Sequence, residues 1–169
     1  MPAGIACSLC NGLLSNTDHA MFPFKAEGDA MTSSIASRIE ASFRKQGLMT
    51  TLGARITRIE PGCVEITAPL TPATQQQQGF AHAGLTFAIG DSAAGYSALS
   101  MMPAETEVLT SQMSIHLLAT GAGEELIARG RVIRAGRRLV VAGADVFVRR
   151  KGEEILIATL IGTMVPVPV

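Results

Sequence analysis

The chain has 169 residues, of which 47% are hydrophobic, and this length and composition suit one domain with a full core. Lysine plus arginine and aspartate plus glutamate both total 14, so the zero net charge gives no general field for nucleic-acid binding. No apolar run is long enough to span a membrane, and the N-terminus lacks the pattern of a secretory signal. We therefore expect a soluble, cytoplasmic protein with neither nucleic acid nor membrane as a partner, and the odd count of three cysteines favours reduced thiols.

The first thirty residues differ from the rest because Gly, Pro, Asn and Asp alternate with short apolar pieces without a sustained period. This pattern predicts an irregular extension over residues 1–30 and a folded domain over 31–169. Cys7 and Cys10 have the spacing of a zinc knuckle, and His19 could supply a third ligand, but a fourth ligand is missing nearby. We expect no metal site here.

The remaining chain predicts two long helices and six strands. The first helix runs from Thr32 or Ser33, which are common N-cap types, through apolar residues spaced four apart to a stop at Gly47. Two strands, a second helix and four more strands follow, and the strand segments are LGARITRIE, CVEITAPL, EVLTSQMSIHLL, EELIARGRVIR, RLVVAGADVFVRR and EILIATLIGTMV. This order predicts an α+β domain in which an antiparallel sheet wraps around one long helix.

The long helix, HAGLTFAIGDSAAGYSALS, begins at His82 and consists largely of small and apolar residues on every side. A helix without a charged face is suited to enclosure, and a carboxylate enclosed there, Asp91, needs a partner or a function. His82 and Asp91 are nine residues apart, which places them on opposite faces of the helix and roughly 13 Å from each other. If both take part in chemistry, two copies of the helix must lie side by side across a two-fold axis, each contributing a different end to each site.

The string QQQQGFAHAGLTFAIGDSAAGYSA, followed by the strand TSQMSIHLLAT, resembles the hotdog-fold thioesterases of the phenylacetic acid degradation type. These enzymes have a His-Gly-Gly start to the central helix, an acid nine residues after the histidine and an amide side chain six residues before it. The matching residues here are His82, Asp91 and Gln76. The resemblance extends over roughly residues 33–165. It implies a hotdog fold, hydrolysis of an acyl- or aryl-coenzyme A thioester, no cofactor beyond the coenzyme A of the substrate, and a homodimer or dimer of dimers with sites between subunits.

The resemblance also implies a role for each catalytic residue. Asp91 attacks the thioester carbonyl or activates water for that attack. The backbone N–H of Ala83 holds the oxyanion, and an unpaired donor in the first turn of a helix is physically suited to that task. Gln76 helps to hold the carbonyl or the water, and Thr110 orients the water.

Substrate binding is predicted for a further set of residues. His82 and Gly84 belong to the helix start, where His82 shapes the first turn. The chain has few aromatic residues for contact with the acyl group, and the candidates are Phe80, Phe87 and Tyr96.

The phosphates of coenzyme A require cations, and two arginine-rich strand turns could supply them. We favour the cluster of Arg134, Arg137 and Arg138 over the cluster of Arg149, Arg150 and Lys151. An ordinary solvated turn is the alternative for both.

Two departures from the family pattern keep other interpretations open. Ala83 adds a methyl group where the family has glycine, and Gln76 is one methylene longer than the usual asparagine, with its register uncertain within the run of glutamines from 75 to 78. Asp91 could instead be a structural acid that caps a segment or pairs with an arginine. The rival function from another class is therefore a non-catalytic hotdog module that binds acyl-coenzyme A. A hotdog hydratase is disfavoured because the chain lacks the Asp and His spacing of that family.

Other residues in or near the motif also allow more than one interpretation of their role. Thr110 is an ordinary strand residue if judged by propensity alone. Regular alternation puts Thr110, Ser114 and His116 on one face of the strand, so His116 is either a lining residue of the acyl pocket or a structural histidine. Gly90-Asp91-Ser92 spells a motif of lipase-type serine hydrolases, but no histidine follows an aspartate by three residues and no G-x-S-x-G elbow is present. We therefore exclude Ser92 as a nucleophile.

Overall fold

This computed structural model describes residues 28–169, with side chains from residue 34 onwards. Its helices are α1 (Gly28–Phe43), α2 (Gly47–Thr51) and α3 (Ala83–Leu99), with a 3-10 turn at Pro72–Thr74. Its strands are β1 (Arg55–Glu60), β2 (Cys63–Pro69), β3 (Thr106–Leu117), β4 (Glu125–Ala135), β5 (Val140–Arg150) and β6 (Glu153–Pro168). All six predicted strands and the long helix are present. The first helix differs from the prediction, because α1 begins before Thr32 and the short α2 begins at Gly47, where we expected the helix to end.

The six strands form one antiparallel sheet in the order β1-β2-β4-β5-β6-β3. One face of this sheet packs around α3, which contacts every strand from β2 to β6. The predicted α+β architecture, an antiparallel sheet wrapped around a long helix, is therefore confirmed. No helix in the described part of the chain is long and apolar enough to cross a membrane.

The cysteine predictions have a mixed outcome. Cys63, at the start of β2, is disulfide-bonded, so the expectation of reduced thiols is wrong for this residue. Cys7, Cys10 and His19 lie outside the described residues, as does nearly all of the predicted N-terminal extension.

Close contact between α3 and the sheet fixes which way the helix faces. A Cβ at Gly130 of β4 would lie only 2.1 Å from the carbonyl oxygen of Ala93, so the helix backbone can approach β4 only because this residue is glycine. The Ser97 hydroxyl accepts a hydrogen bond from the Val64 N–H at 2.9 Å and donates one to the Ala93 carbonyl at 2.7 Å. These contacts prevent rotation of α3 and so determine the direction of Asp91.

The two halves of α3 differ in burial. Every residue from position 93 to position 99 is buried, whereas His82, Ala83 and Gly84 are exposed or partly exposed at the start of the helix. Enclosure of the helix, which its composition predicts, is thus complete only in its C-terminal half. At the edge of the sheet, β3 has β6 on one side and no strand of the described chain on the other, and Leu109 and Leu117 are more than half exposed.

Candidate functional site

Asp91 lies half-buried on α3 in the wall of a cavity of about 420 Å³. The Thr110 hydroxyl, on β3, donates a hydrogen bond to Asp91 Oδ1 at 2.8 Å. Burial raises the pKa of Asp91 above its usual value of 3.8, and the hydrogen bond from Thr110 opposes this shift by stabilising the charged form. The result is an oriented carboxylate with increased proton affinity, which is suited to act as a base or a nucleophile.

Thr110 lies on the helix-facing side of β3, and a bulge follows it directly. Thr110 lies opposite Met164, which is fully buried on the helix-facing side, and the register shifts before the next strand pair. An inserted residue reverses the alternation of side chains along a strand. His116 consequently lies opposite Thr159, on the other face of the sheet. The prediction that Thr110, Ser114 and His116 share one face is wrong for this reason.

A second cavity, of about 390 Å³, surrounds the start of α3 and includes Ala83 and Gln76 in its wall. Ala83 is the first residue of the helix, so its N–H has no acceptor within the helix. His82 is the N-cap residue. Its Nδ1 accepts the Gly84 N–H at 2.9 Å and its carbonyl accepts the Leu85 N–H at 3.0 Å. Among the described residues, the Ala83 N–H is therefore the unpaired donor of this first turn.

Gln76 is the one residue of the glutamine run that contributes to this cavity wall. Its side-chain Oε1 accepts a hydrogen bond from the Gln78 N–H, and its backbone N–H donates to the Phe80 carbonyl at 2.8 Å. Because the amide oxygen is engaged in the turn, the Nε2 donors remain for a group inside the cavity. The sequence left open which glutamine of the run is the amide of the site. In the structure it is Gln76 that shares a cavity wall with Ala83.

The two cavities separate the predicted catalytic residues into two sets within one chain. Asp91 and Thr110 line the first cavity, whereas Ala83 and Gln76 line the second. Ala83 precedes Asp91 by about 12 Å along the helix axis, from the rise of 1.5 Å per residue. One chain therefore holds these residues in two separate groups.

The predicted contacts for the acyl group lie partly inside and partly outside the two cavities. Gly84 and Phe87 are exposed and line neither cavity, although Phe87 is an apolar surface residue that is 38% exposed. Of the other aromatic candidates, Phe80 lines the second cavity and Tyr96 lines the first.

The favoured arginine cluster lies at the turn between β4 and β5. Arg134, Arg137 and Arg138 are exposed and form no ion pair with any described residue. In the rival cluster, Arg149 is already paired with Glu125 and Glu154.

The strand register places this turn close to the Asp91 cavity. Val140 lies opposite Met164, which in turn lies opposite Thr110, so the β4–β5 turn is level with Thr110 and two strands away, about 10 Å.

Several polar residues of the first cavity had little signal in the sequence. Ser42, Gln46 and Glu107 line it together with Tyr96, which the sequence indicated only as an aromatic candidate. Their positions depend on contacts between residues about fifty to sixty-five apart in the chain. Between residues 34 and 169, no group of three His, Cys, Asp or Glu side chains could hold a metal ion.

Removal of the Thr110 hydroxyl is expected to raise the pKa of Asp91 further. The hydrogen bond stabilises the carboxylate, so in Thr110→Val the acid is protonated at a higher pH than in the wild-type protein. Carboxyl-carbon NMR titration of Asp91 measures this shift. Thr159→Val is the matched control, because the Thr159 hydroxyl donates to Asp145 with the same 2.8 Å geometry away from the cavity. A wild-type titration curve for Asp91 in Thr110→Val would contradict the assigned role of this hydrogen bond.

Comparisons with known proteins agree with this fold. Residues 78–155 match the family model of the thioesterase superfamily. A thioesterase family protein from Silicibacter pomeroyi has 41% sequence identity and a TM-score of 0.78 over 80% of this chain and 99% of its own. The PaaI protein of Escherichia coli, from the phenylacetic acid degradation operon, has 20% identity and a TM-score of 0.73 over 81% and 96% of the two chains.

A third solved structure is the BH2602 protein from Bacillus halodurans with CoA. It has 22% identity and a TM-score of 0.64, covering 82% of this chain and 89% of its own. A search of curated protein sequences gave no significant match.

Proposed function

Because the chain belongs to the thioesterase superfamily, we propose that it hydrolyses the thioester of an acyl-coenzyme A to the free acid and coenzyme A. The observation that carries this proposal is the oriented Asp91 carboxylate in its cavity, with an unpaired helix-start donor, the Ala83 N–H, in the second cavity. The CoA present with the Bacillus halodurans protein supports coenzyme A as the carrier of the acyl group. The cytoplasmic location expected from the sequence stays a prediction.

The chemistry follows from these groups. Asp91 either attacks the thioester carbonyl carbon directly or accepts a proton from a water molecule that attacks it. Because the Thr110 hydroxyl donates to Asp91, its oxygen can accept from that water and orient it. The Ala83 N–H stabilises the negative charge on the carbonyl oxygen, with Gln76 Nε2 as a second donor. When water attacks, collapse of the tetrahedral intermediate breaks the carbon–sulfur bond, the proton held by Asp91 passes to the leaving thiolate, and the free acid and coenzyme A are released. When Asp91 attacks, the same collapse releases coenzyme A and leaves a mixed anhydride on Asp91, which water then hydrolyses to the free acid.

A complete site requires a second copy of the chain. Asp91 and Thr110 of one protomer would meet Ala83 and Gln76 of its partner across a two-fold axis, since the two sets occupy separate cavities in each chain. The unpaired edge of β3 in the described chain supports this arrangement, because its exposed Leu109 would gain from burial in an interface. A homodimer, alone or within a dimer of dimers, is thus the proposed functional unit.

Arg134, Arg137 and Arg138 are the proposed contacts for the coenzyme A phosphates. Their exposure and lack of ion-pair partners among the described residues leave the guanidinium groups available for phosphate oxygens. Their turn lies level with Thr110 along the sheet, which brings the cations within reach of a substrate whose thioester is at Asp91.

Thiol release from a panel of alkyl- and aryl-coenzyme A esters tests the proposal. We expect release of free thiol and acid in equal amounts, above the rate of uncatalysed hydrolysis, for at least one ester. Asp145→Asn serves as a control variant, since this acid also accepts a hydrogen bond from a threonine but lies away from both cavities. Tight binding of every ester without thiol release would instead favour the non-catalytic binding module.

A further inference from the structure

The wall of the Asp91 cavity contains hydrogen-bonded side chains that the proposed hydrolysis does not use. Gln46, from the turn between α1 and α2, donates through Nε2 to the Tyr96 hydroxyl on α3 at 2.7 Å. Ser42 lies in the same cavity wall, and its hydroxyl donates to Glu107 Oε2 at 3.2 Å. Two hydrogen-bonded pairs, one of an amide with a phenol and one of a hydroxyl with a carboxylate, therefore line the cavity beside Asp91.

Burial of Tyr96 keeps the hydrogen bond with Gln46 in place. Its side chain is only 3% exposed, and its ring packs edge-on against Phe43 with the ring centres 5.8 Å apart. Burial, together with the nearby charge of Glu107, raises the pKa of Tyr96, so the phenol stays a neutral donor and acceptor at physiological pH. A buried phenol requires a hydrogen-bond partner, and Gln46, which lies in the cavity wall, donates directly to it. Its orientation is therefore determined by the core.

Gln46 retains hydrogen-bonding capacity on the cavity side. An amide has two N–H donors and an oxygen that accepts two hydrogen bonds. One donor is used by Tyr96, and the oxygen receives only a long contact, 3.5 Å, from the Ser92 hydroxyl. One N–H and most of the acceptor capacity therefore remain for a molecule in the cavity that also contains Asp91.

We propose that this cavity binds the acyl group and that Gln46, held by Tyr96, selects acyl groups that carry a neutral oxygen function such as a hydroxyl. The inference rests on the proposed function, which places the thioester carbonyl at Asp91. Tyr96 is further along α3 than Asp91 by about 7.5 Å of helix axis. The Gln46 amide reaches from the Tyr96 hydroxyl back to the Ser92 hydroxyl, so the selected oxygen lies between the levels of Tyr96 and Asp91, beyond the carbonyl in the acyl chain. A carboxylate there would meet the negative charge of Glu107, and the exposed Lys45 at the rim offsets it weakly because solvent screens its charge.

Paired substrates of equal size test the selection. For the wild-type protein we expect kcat/KM to be at least about tenfold higher for ω-hydroxyhexanoyl-coenzyme A than for heptanoyl-coenzyme A, since a site built around a hydrogen bond rejects the analogue that lacks it. Gln46→Met keeps the side-chain volume and should bring this ratio close to one. Tyr96→Phe, which releases Gln46 from its partner, should lower the ratio as well. Gln112→Met is the matched control, because Gln112 is on β3 outside the cavity and should leave the ratio at the wild-type value.

The outcomes distinguish this inference from the proposed function. Hydrolysis of both esters with equal kcat/KM, a preference for adipoyl-coenzyme A, or a ratio unchanged in both Gln46→Met and Tyr96→Phe would overturn the selection and leave the thioesterase proposal intact. Absence of hydrolysis for every ester would overturn the thioesterase proposal. In that case calorimetric binding of the same pair measures the selection directly, and equal affinities would reject it.

Discussion

Asp91→Asn is expected to reduce kcat for acyl-coenzyme A hydrolysis by roughly 1000-fold or more, within the range that positioned general bases contribute. Asparagine keeps the volume of the side chain and its hydrogen bond to Thr110, but it can neither accept a proton from water nor attack the carbonyl. Substrate affinity should change little, because the lost interaction acts on the reacting atoms. Single-turnover thiol release and calorimetric binding of the substrate separate these two effects.

Stability provides the control for this variant. Because the pKa of Asp91 is raised in the folded state, protonation favours folding: this contribution is present below the unfolded pKa and is lost as pH rises through the folded pKa. The neutral amide of Asp91→Asn would avoid that loss, so at pH 7 the free energy of unfolding of this variant should be no lower than that of the wild-type protein. Urea unfolding measures it. A folded variant that retained most of the wild-type kcat would exclude Asp91 from catalysis.

Mixtures of two inactive variants are expected to regain activity. Asp91→Asn and Gln76→Ala each damage a different half-site, and in the proposed dimer these halves come from different protomers. In a mixed dimer one site collects both defects and the other has none. Random pairing makes half of the dimers mixed, and each has one intact site of two, so the refolded mixture should recover roughly a quarter of wild-type activity.

Differential tags on the two variants identify the mixed dimers, and purification of those dimers should raise the recovered activity to about half of the wild-type value. Refolded mixtures of each variant with itself are the controls. If tagged mixed dimers form from folded variants and show no more activity than these controls, each site lies within a single chain and the shared-site proposal fails.

Local patterns in the sequence predicted much of the fold. Alternation of apolar residues located all six strands, and the small, apolar composition around Asp91 indicated a helix under a sheet. The nine-residue interval between His82 and Asp91 predicted that the two ends of α3 belong to different sites, in agreement with the two cavities. These features are local because helix and strand periodicities depend on consecutive residues.

Features that depend on distant contacts were not predictable in this way. The bulge after Thr110 is set by pairing with β6, so strict alternation placed His116 on the wrong face. Gln46 and Tyr96 are fifty residues apart, and neither has a neighbour in sequence that indicates their hydrogen bond. The exposed start of α3 also contradicts full enclosure, because composition does not indicate which part of a helix the sheet covers.

The strand order has a consequence for synthesis of the protein. The helix α3 is made before β3, β4, β5 and β6, yet four of the five strands it contacts are these later ones. On the ribosome, the helix that contains Asp91 therefore emerges with most of its covering sheet still unmade. The sheet that covers this helix is complete only after β6 has been made, because β6 pairs with both β5 and β3. Until then the apolar surface of the helix is exposed to other chains. We expect slow folding dominated by non-local contacts and a dependence on chaperones during synthesis.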